Sequence, residues 1–325
     1  MNLKRGNFSM FMGAVGLCAF SVGASILSRQ FVFGQGHEDR PIMPVLLLFV
    51  LAWIGFAFAT LHVWRSASSA SRGLSWIMGV AIVARLLMAS SSLIQENDCY
   101  RYVLDGEAIL HGVNPFRFTP EEVAEASTGS FADALQGEDA QLILSRITYQ
   151  EIPTIYPPLS QAAFALGAWL TPWSWHGQRI VFLAADMLTM LLLVLALGRM
   201  GRPRSWVIFY AWNPLIIKEI ANSAHLESLL GLALAGLLLS CCLYRERQSA
   251  GRLLWIAVAF SAAVLCKLYP IMLAPLVAAF VWRSTRSLKA LLGLGAACLV
   301  IGCVAYAPFL TVGVERLTEG LRMFG

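Results

Sequence analysis

Apolar runs recur along this chain from Phe8 to Phe309, several of them reaching the roughly 20 residues needed to cross about 30 Å of hydrocarbon. A backbone inside lipid must satisfy its own hydrogen bonds, so runs of this length without strand-like alternation commit the chain to helices. Composition agrees: 58% of the 325 residues are hydrophobic and 13% are charged, where a soluble domain carries about 25% charged residues. The expected fold is an all-α polytopic membrane protein, a bundle of about 8–10 transmembrane or half-crossing helices. Residues 1–325 read as a single membrane domain, with no internal repeat or low-complexity tract. Of the seven cysteines, only Cys99 lies in a polar stretch, so neither a disulfide framework nor a zinc-ligand spacing is expected.

The net charge of +5 reports which loops face the cytoplasm and argues nothing for nucleic acid. Lys4 and Arg5 precede the first run, Phe8 to Leu27, which reads as a retained helix with a cytoplasmic N-terminus. Runs from Ile42 to Trp64 and Leu74 to Ile94 follow, joined by the short basic loop from Arg65 to Arg72. Three crossings place Gln95 outside. From Gln95 to Ile155 eleven acidic residues face three arginines, and this 61-residue stretch is the one sizeable outer loop. Basic clusters at Arg199, Arg202 and Arg204, at Arg245, Arg247 and Arg252, and at Arg283, Arg286 and Lys289 return the chain to the cytoplasm. To satisfy them, Tyr156 to Trp175 becomes a shallow outer segment and Leu253 to Trp282 a hairpin with Lys267-Leu-Tyr-Pro270 at its outward tip. Irregular backbone at such a tip is tolerated where it lines a polar cavity. A last helix from Ser287 to Phe309 and a short polar tail complete the expectation.

The densest polar signal is Glu96-Asn-Asp98-Cys-Tyr-Arg101-Tyr102-Val-Leu-Asp105-Gly106, followed by His111-Gly-Val-Asn114-Pro-Phe116. Two carboxylates at i and i+2 can hold a divalent cation, or one can act as a base while the other holds a partner. The plainer alternative is a solvated loop with a helix N-cap. Asp98, Arg101 and Asp105 lie at helical spacing, so Arg101 can orient the carboxylates. Within apolar runs, Arg85, Asp186, Lys218, Glu219, His225, Glu227 and Lys267 each cost on the order of 3 kcal/mol at a helix centre. Arg85 with Asp186 reads as a buried structural pair, and Lys218 with Glu219 as mutual neutralisation. His225, with only Glu227 nearby, and Lys267, with no local partner, remain as candidates for an anionic ligand such as a phosphate.

The Glu96–Gly106 segment, Gly112-Val-Asn114-Pro-Phe116 and Ile155-Tyr156-Pro-Pro158-Leu-Ser-Gln161 together resemble the first outer loop of GT-C glycosyltransferases. The pattern is closest to bacterial polyprenyl-phosphate-dependent mannosyltransferases of the family 87 type, and to the enzyme that adds the first mannose of the glycosylphosphatidylinositol anchor. Trp212-Asn-Pro214-Leu, Asn222-Ser-Ala-His225-Leu-Glu227 and Cys266-Lys267-Leu-Tyr269-Pro270 continue the resemblance in order. Asn97 stands where many bacterial relatives carry a second aspartate, and Ala224 where they carry glycine. The resemblance implies transfer of a hexose, mannose first among them, from a polyprenyl-phosphate donor to a glycan or glycolipid acceptor, with inversion. The expected setting is the periplasmic face of a bacterial inner membrane. It implies Asp98 as base and Glu96 as its catalytic partner. Arg101, Tyr102, Asp105, Asn114, Tyr156, His225, Glu227, Lys267 and Tyr269 would contact substrate. The same two acids are the ligands for any divalent cation, Mg or Mn. A transporter or lipid-linked sugar flippase is the rival class; it would place its sites at the bilayer midplane between pseudo-symmetric halves.

Overall fold

The computed structural model describes residues 2–66 and 73–324. Most of the basic loop between Arg65 and Arg72 therefore lies outside the described residues. No strand occurs among those described, as expected of an all-α membrane protein. Three apolar helices open the chain: α1 (Asn2–Ser28), α2 (Ile42–Arg65) and α3 (Leu74–Ala89). The polar stretch from Gln95 to Ile155 folds into α4 (Asp98–Leu110), α5 (Pro120–Ala126), α6 (Gly129–Leu135) and α7 (Glu138–Arg146). Then come α8 (Pro158–Leu170), α9 (Trp175–Arg199) and the short turns α10 (Ile208–Ala211) and α11 (Pro214–Ile217). The remainder is α12 (Glu227–Glu246), α13 (Ala250–Cys266), α14 (Ala274–Thr285), α15 (Leu288–Tyr306) and α16 (Gly313–Phe324).

Phe8–Ser28 of α1, α2, α9, α12 and the Leu288–Met323 stretch are long and apolar enough to cross a membrane. At 1.5 Å per residue α8 reaches only about 20 Å, which suits the shallow placement expected for it. Two expectations need correction. The third run ends at Ala89 rather than Ile94, because Ser90 and Ser91 turn their hydroxyls back onto the carbonyls of Leu87 (2.8 Å) and Met88 (2.5 Å) and compete with the helix. The polar tail is instead α16, whose Val314, Leu321 and Met323 are exposed apolar residues interleaved with Glu315, Arg316 and Arg322.

The described residues fall into two compact units. The first comprises Met1–Glu96, as far as it is described, with Asp186–His225. Here α1 and α2 approach through small residues: a Cβ on Gly13 would sit 2.8 Å from the Ala59 Cβ and 2.9 Å from the Gly55 carbonyl. Close backbone approach of this kind is how helices associate where lipid removes the hydrophobic drive. Leu47, Val50, Ile54, Phe58 and Leu61 of α2 remain exposed, a face made for acyl chains. Arg85 and Asp186 are both fully buried and form an ion pair. Arg85 also donates to the Ala211 carbonyl (2.7 Å), and the Tyr210 hydroxyl donates to Asp186 (2.7 Å).

The second unit comprises Asn97–Ala185 and, as far as it is described, Leu226–Gly325. Its core between α12, α13, α14 and α15 is built on Leu237, Ile256, Phe260, Val277, Val281 and Leu294. Tyr102 of α4 stacks on Phe164 of α8 at 4.4 Å and meets the edges of Tyr156 and Phe182. Gly106 permits that contact, because a Cβ there would run into the Phe164 carbonyl. Backbone cannot step aside as a side chain can. Gly106→Ala is expected to part α4 from α8 and cost about 1–3 kcal/mol, read as a lower melting temperature in detergent.

Candidate active site

Asp98 is the first helical residue of α4, where the unsatisfied N–H groups of the first turn favour an ionised carboxylate. It lines a cavity of about 230 Å³ shared with Arg101, Thr148, Tyr149, Tyr156 and Lys267. Arg101, one turn further along α4, is held from two sides. Its Nε donates to Asp105 Oδ1 (2.9 Å) and a terminal nitrogen to the Ile152 carbonyl (2.9 Å). Asp105 in turn is only 2% exposed and accepts from Thr154 Oγ1 (2.5 Å) and Gln161 Nε2 (2.9 Å). With both oxygens committed, Asp105 is a positioning residue that fixes Arg101 and the 152–154 wall together. Asp105→Ala would strand three donors and is expected to cost about 3 kcal/mol, whereas Asp105→Asn, which keeps the shape, is expected to cost less. Thermal denaturation of the two variants beside the parent checks this.

Tyr156 forms another wall. Burial pushes its phenol well above the usual tyrosine range and the Asp98 carboxylate adds to the effect, so it stays a neutral donor. Tyr102 lies beneath, buried, with its phenol raised by burial and by the Asp98 and Glu227 carboxylates. Lys267 sits where α13 stops and a 3-10 turn begins, and its ammonium pairs with Glu227 at the start of α12. As expected Lys267 has no local partner: Glu227 lies 40 residues away in sequence.

Glu96 and His225 belong to the first unit, with the His225 Nε2 3.3 Å from the Glu96 carboxylate. His225 also approaches Glu219 (3.9 Å), which accepts from Lys218 (3.0 Å). Within the first unit the histidine thus meets Glu96 and Glu219, and in the second Glu227 pairs with Lys267. The reason is local: Lys218–Asn222 is wound as a π-helix, whose wider turn carries Glu219 around to His225. Ala224 holds φ of 52°, the left-handed conformation that glycine adopts freely, so the turn keeps its shape without the glycine. Buried Asn222 donates to Ser91 Oγ and the Ser92 carbonyl (both 2.7 Å) and accepts from the Ile94 N–H (3.1 Å), which fixes the chain leading to Glu96.

Of the residues expected to contact substrate, Arg101, Tyr156 and Lys267 share the Asp98 cavity. Asp105, Tyr102 and Glu227 stand behind its walls. Tyr269 is exposed on the turn after Lys267, and Asn114 lines a different cavity. Sequence reading passed over Thr154 and the Ile152 carbonyl, and gave Asn222 no role beyond its place in a motif, so that its support of Glu96 went unseen. Only their polarity within or beside apolar segments could have pointed to Thr154 and Asn222 in these roles.

A membrane chain that gathers a carboxylate, two cations and a tyrosine at a cavity beside a break between two helices has the features of a membrane glycosyltransferase. The chain belongs to the alpha-(1->6)-mannopyranosyltransferase, N-terminal domain family, whose pattern matches residues 5–283. No curated protein and no solved structure matches it.

Proposed function

We propose that this chain is a GT-C-type enzyme that transfers mannose from a polyprenyl-phosphate donor to a hydroxyl of a glycan or glycolipid acceptor, forming an α-(1→6) bond. Its setting is a bacterial inner membrane, with the active site on the periplasmic side. The observation that carries the reading is the shared cavity of Asp98, Arg101, Tyr156 and Lys267, within the family match. Asp98 takes the acceptor proton as the acceptor oxygen attacks the anomeric carbon and the bond from that carbon to the phosphate oxygen breaks. The departing polyprenyl phosphate carries the electron pair. Arg101 and Lys267 stabilise the charge that develops on it, and Tyr156 donates a hydrogen bond. A single displacement inverts the anomeric carbon, so an α product requires a β-configured donor.

Arg101 and Lys267 already face Asp105 and Glu227, and Asp98 adds a further negative charge to this group. A divalent cation would offset that charge beside a phosphate. Glu96 and Asp98, two residues apart in sequence, would hold it, and it would supply Lewis-acid stabilisation of the leaving phosphate. Purified protein incubated with radiolabelled polyprenyl-phosphate mannose or glucose is expected to release polyprenyl phosphate and label the acceptor from the mannosyl donor. Passage of intact donor across vesicles without its consumption would favour the flippase reading instead.

A further inference from the structure

A second cavity, of about 640 Å³, lies in the same unit as Asp98, at the other end of α4. Its size falls in the range of roughly 300–1,000 Å³ typical of small-ligand sites. One wall is the turn carrying Asn114, Arg117 and Phe118; another is the Ser127–Thr128 link between α5 and α6; the third is the chain entering α16. Cross-links hold these walls together. Asn114 Nδ2 donates to the Phe309 carbonyl and to Thr311 Oγ1 (both 3.0 Å), and Arg316 Nε to the Arg117 carbonyl (3.2 Å).

The charge of Arg316 is met by two carboxylates, Glu122 (2.5 Å) and Glu319 (2.7 Å), so of the two arginines lining the cavity Arg117 is the one left to a ligand. What remains is hydrogen-bonding and planar: Arg117 lies over the Phe118 ring at 5.1 Å, Ser127 Oγ is buried without a hydrogen bond, and the Thr128 hydroxyl stands beside it. A guanidinium spread on a ring, with an unbonded hydroxyl in the same lining, suits a pyranose, whose hydroxyls can accept from Arg117 and bond to Ser127.

Position adds the second half of the argument. The 13 residues of α4 separate this cavity from Asp98 by about 20 Å, several sugar lengths. The helix α16 connects them. Its first turn walls this cavity, and Gly320 lies so close to Pro153 and Thr154, on the wall of the Asp98 cavity, that a Cβ would press on their carbonyls. The Thr311–Arg316 wall also lies beyond the residues matched by the family.

We propose that this cavity is a distal subsite for an extended glycan acceptor, holding a hexose several units away from the one that reacts. The proposal rests on the mannosyl-transfer reading and adds to it a preference for longer acceptors. The test uses the full chain in nanodiscs, titrated calorimetrically with short and long α-(1→6)-linked manno-oligosaccharides, with acceptor KM measured beside it. Long chains are expected to bind about tenfold tighter than short ones. That gain is expected to vanish in Arg117→Ala, whose side chain is exposed and lies over Phe118, and in Thr128→Trp, which fills the cavity. Arg245→Ala, in a separate cavity, is the control and keeps the gain. Length-independent binding, or an equal loss in the control, overturns the subsite even where mannosyl transfer is intact. Length-dependent binding with no turnover supports the subsite and sets aside the transfer reading instead.

Discussion

Asp98→Asn is expected to lower turnover by about 10²–10⁴ while leaving donor affinity close to that of the parent. The substitution preserves the volume of the side chain and most of its hydrogen bonds, and removes the ability to accept a proton. Because Arg101, Tyr156 and Lys267 line the same cavity, the phosphate retains its donors in the variant. Single-turnover kinetics with a labelled lipid-linked mannose separates the two effects: the chemical step slows and the binding isotherm does not move. Near-parental turnover would remove Asp98 as the base, and Glu227, which pairs with Lys267 in the same unit, becomes the next carboxylate to test. Glu96→Gln adds a second reading. A small loss that a chelator does not deepen marks Glu96 as an orienting group, and a large loss reproduced by chelation of the parent marks it as a cation ligand.

Breaking the Arg85–Asp186 pair is expected to be the most damaging change to stability. Both side chains are fully buried, and each makes a further contact, Arg85 to the Ala211 carbonyl and Asp186 with the Tyr210 hydroxyl. Arg85→Met or Asp186→Leu alone leaves one uncompensated charge inside an apolar unit, which costs about 3–5 kcal/mol. The double variant removes both charges and is expected to recover most of that loss, since a buried pair is often no more stabilising than well-packed apolar residues. Melting temperatures of the three variants form a double-mutant cycle, and a double variant no better than either single one would show that the pair itself holds this unit together.

The sequence made one part of this architecture legible and hid another, for physical reasons. Arg85 and Asp186 announced themselves because isolated charges in apolar runs are too costly to stand alone, and Arg101 with Asp105 because four residues is one helical turn. The break at Lys267 was visible for the same kind of reason, as a polar and proline-bearing tip inside an over-long apolar run. The partner of Lys267 was hidden, since nothing local ties it to Glu227. The neighbours of His225 were hidden by backbone rather than side chains: a π-helical turn changes which residues face one another, and no periodicity of side chains reports it. Asp105 read as a substrate contact because acidic residues beside a motif look alike in sequence. Its three donors come from Arg101, Thr154 and Gln161, brought to one point by the fold.

The clamp around Asp105 also bears on how this region can change over evolutionary time. Arg101 reaches the Ile152 carbonyl and Asp105 reaches Thr154, so the two ends of the excursion through α5, α6 and α7 are stapled together at its base. A chain segment whose ends are already joined behaves as a graft. Doubling its length adds only about 0.6 kcal/mol of closure entropy. Kin of this protein are therefore free to lengthen, trim or exchange the excursion, and to acquire new acceptors by doing so, while the stem that presents Asp98 stays in register.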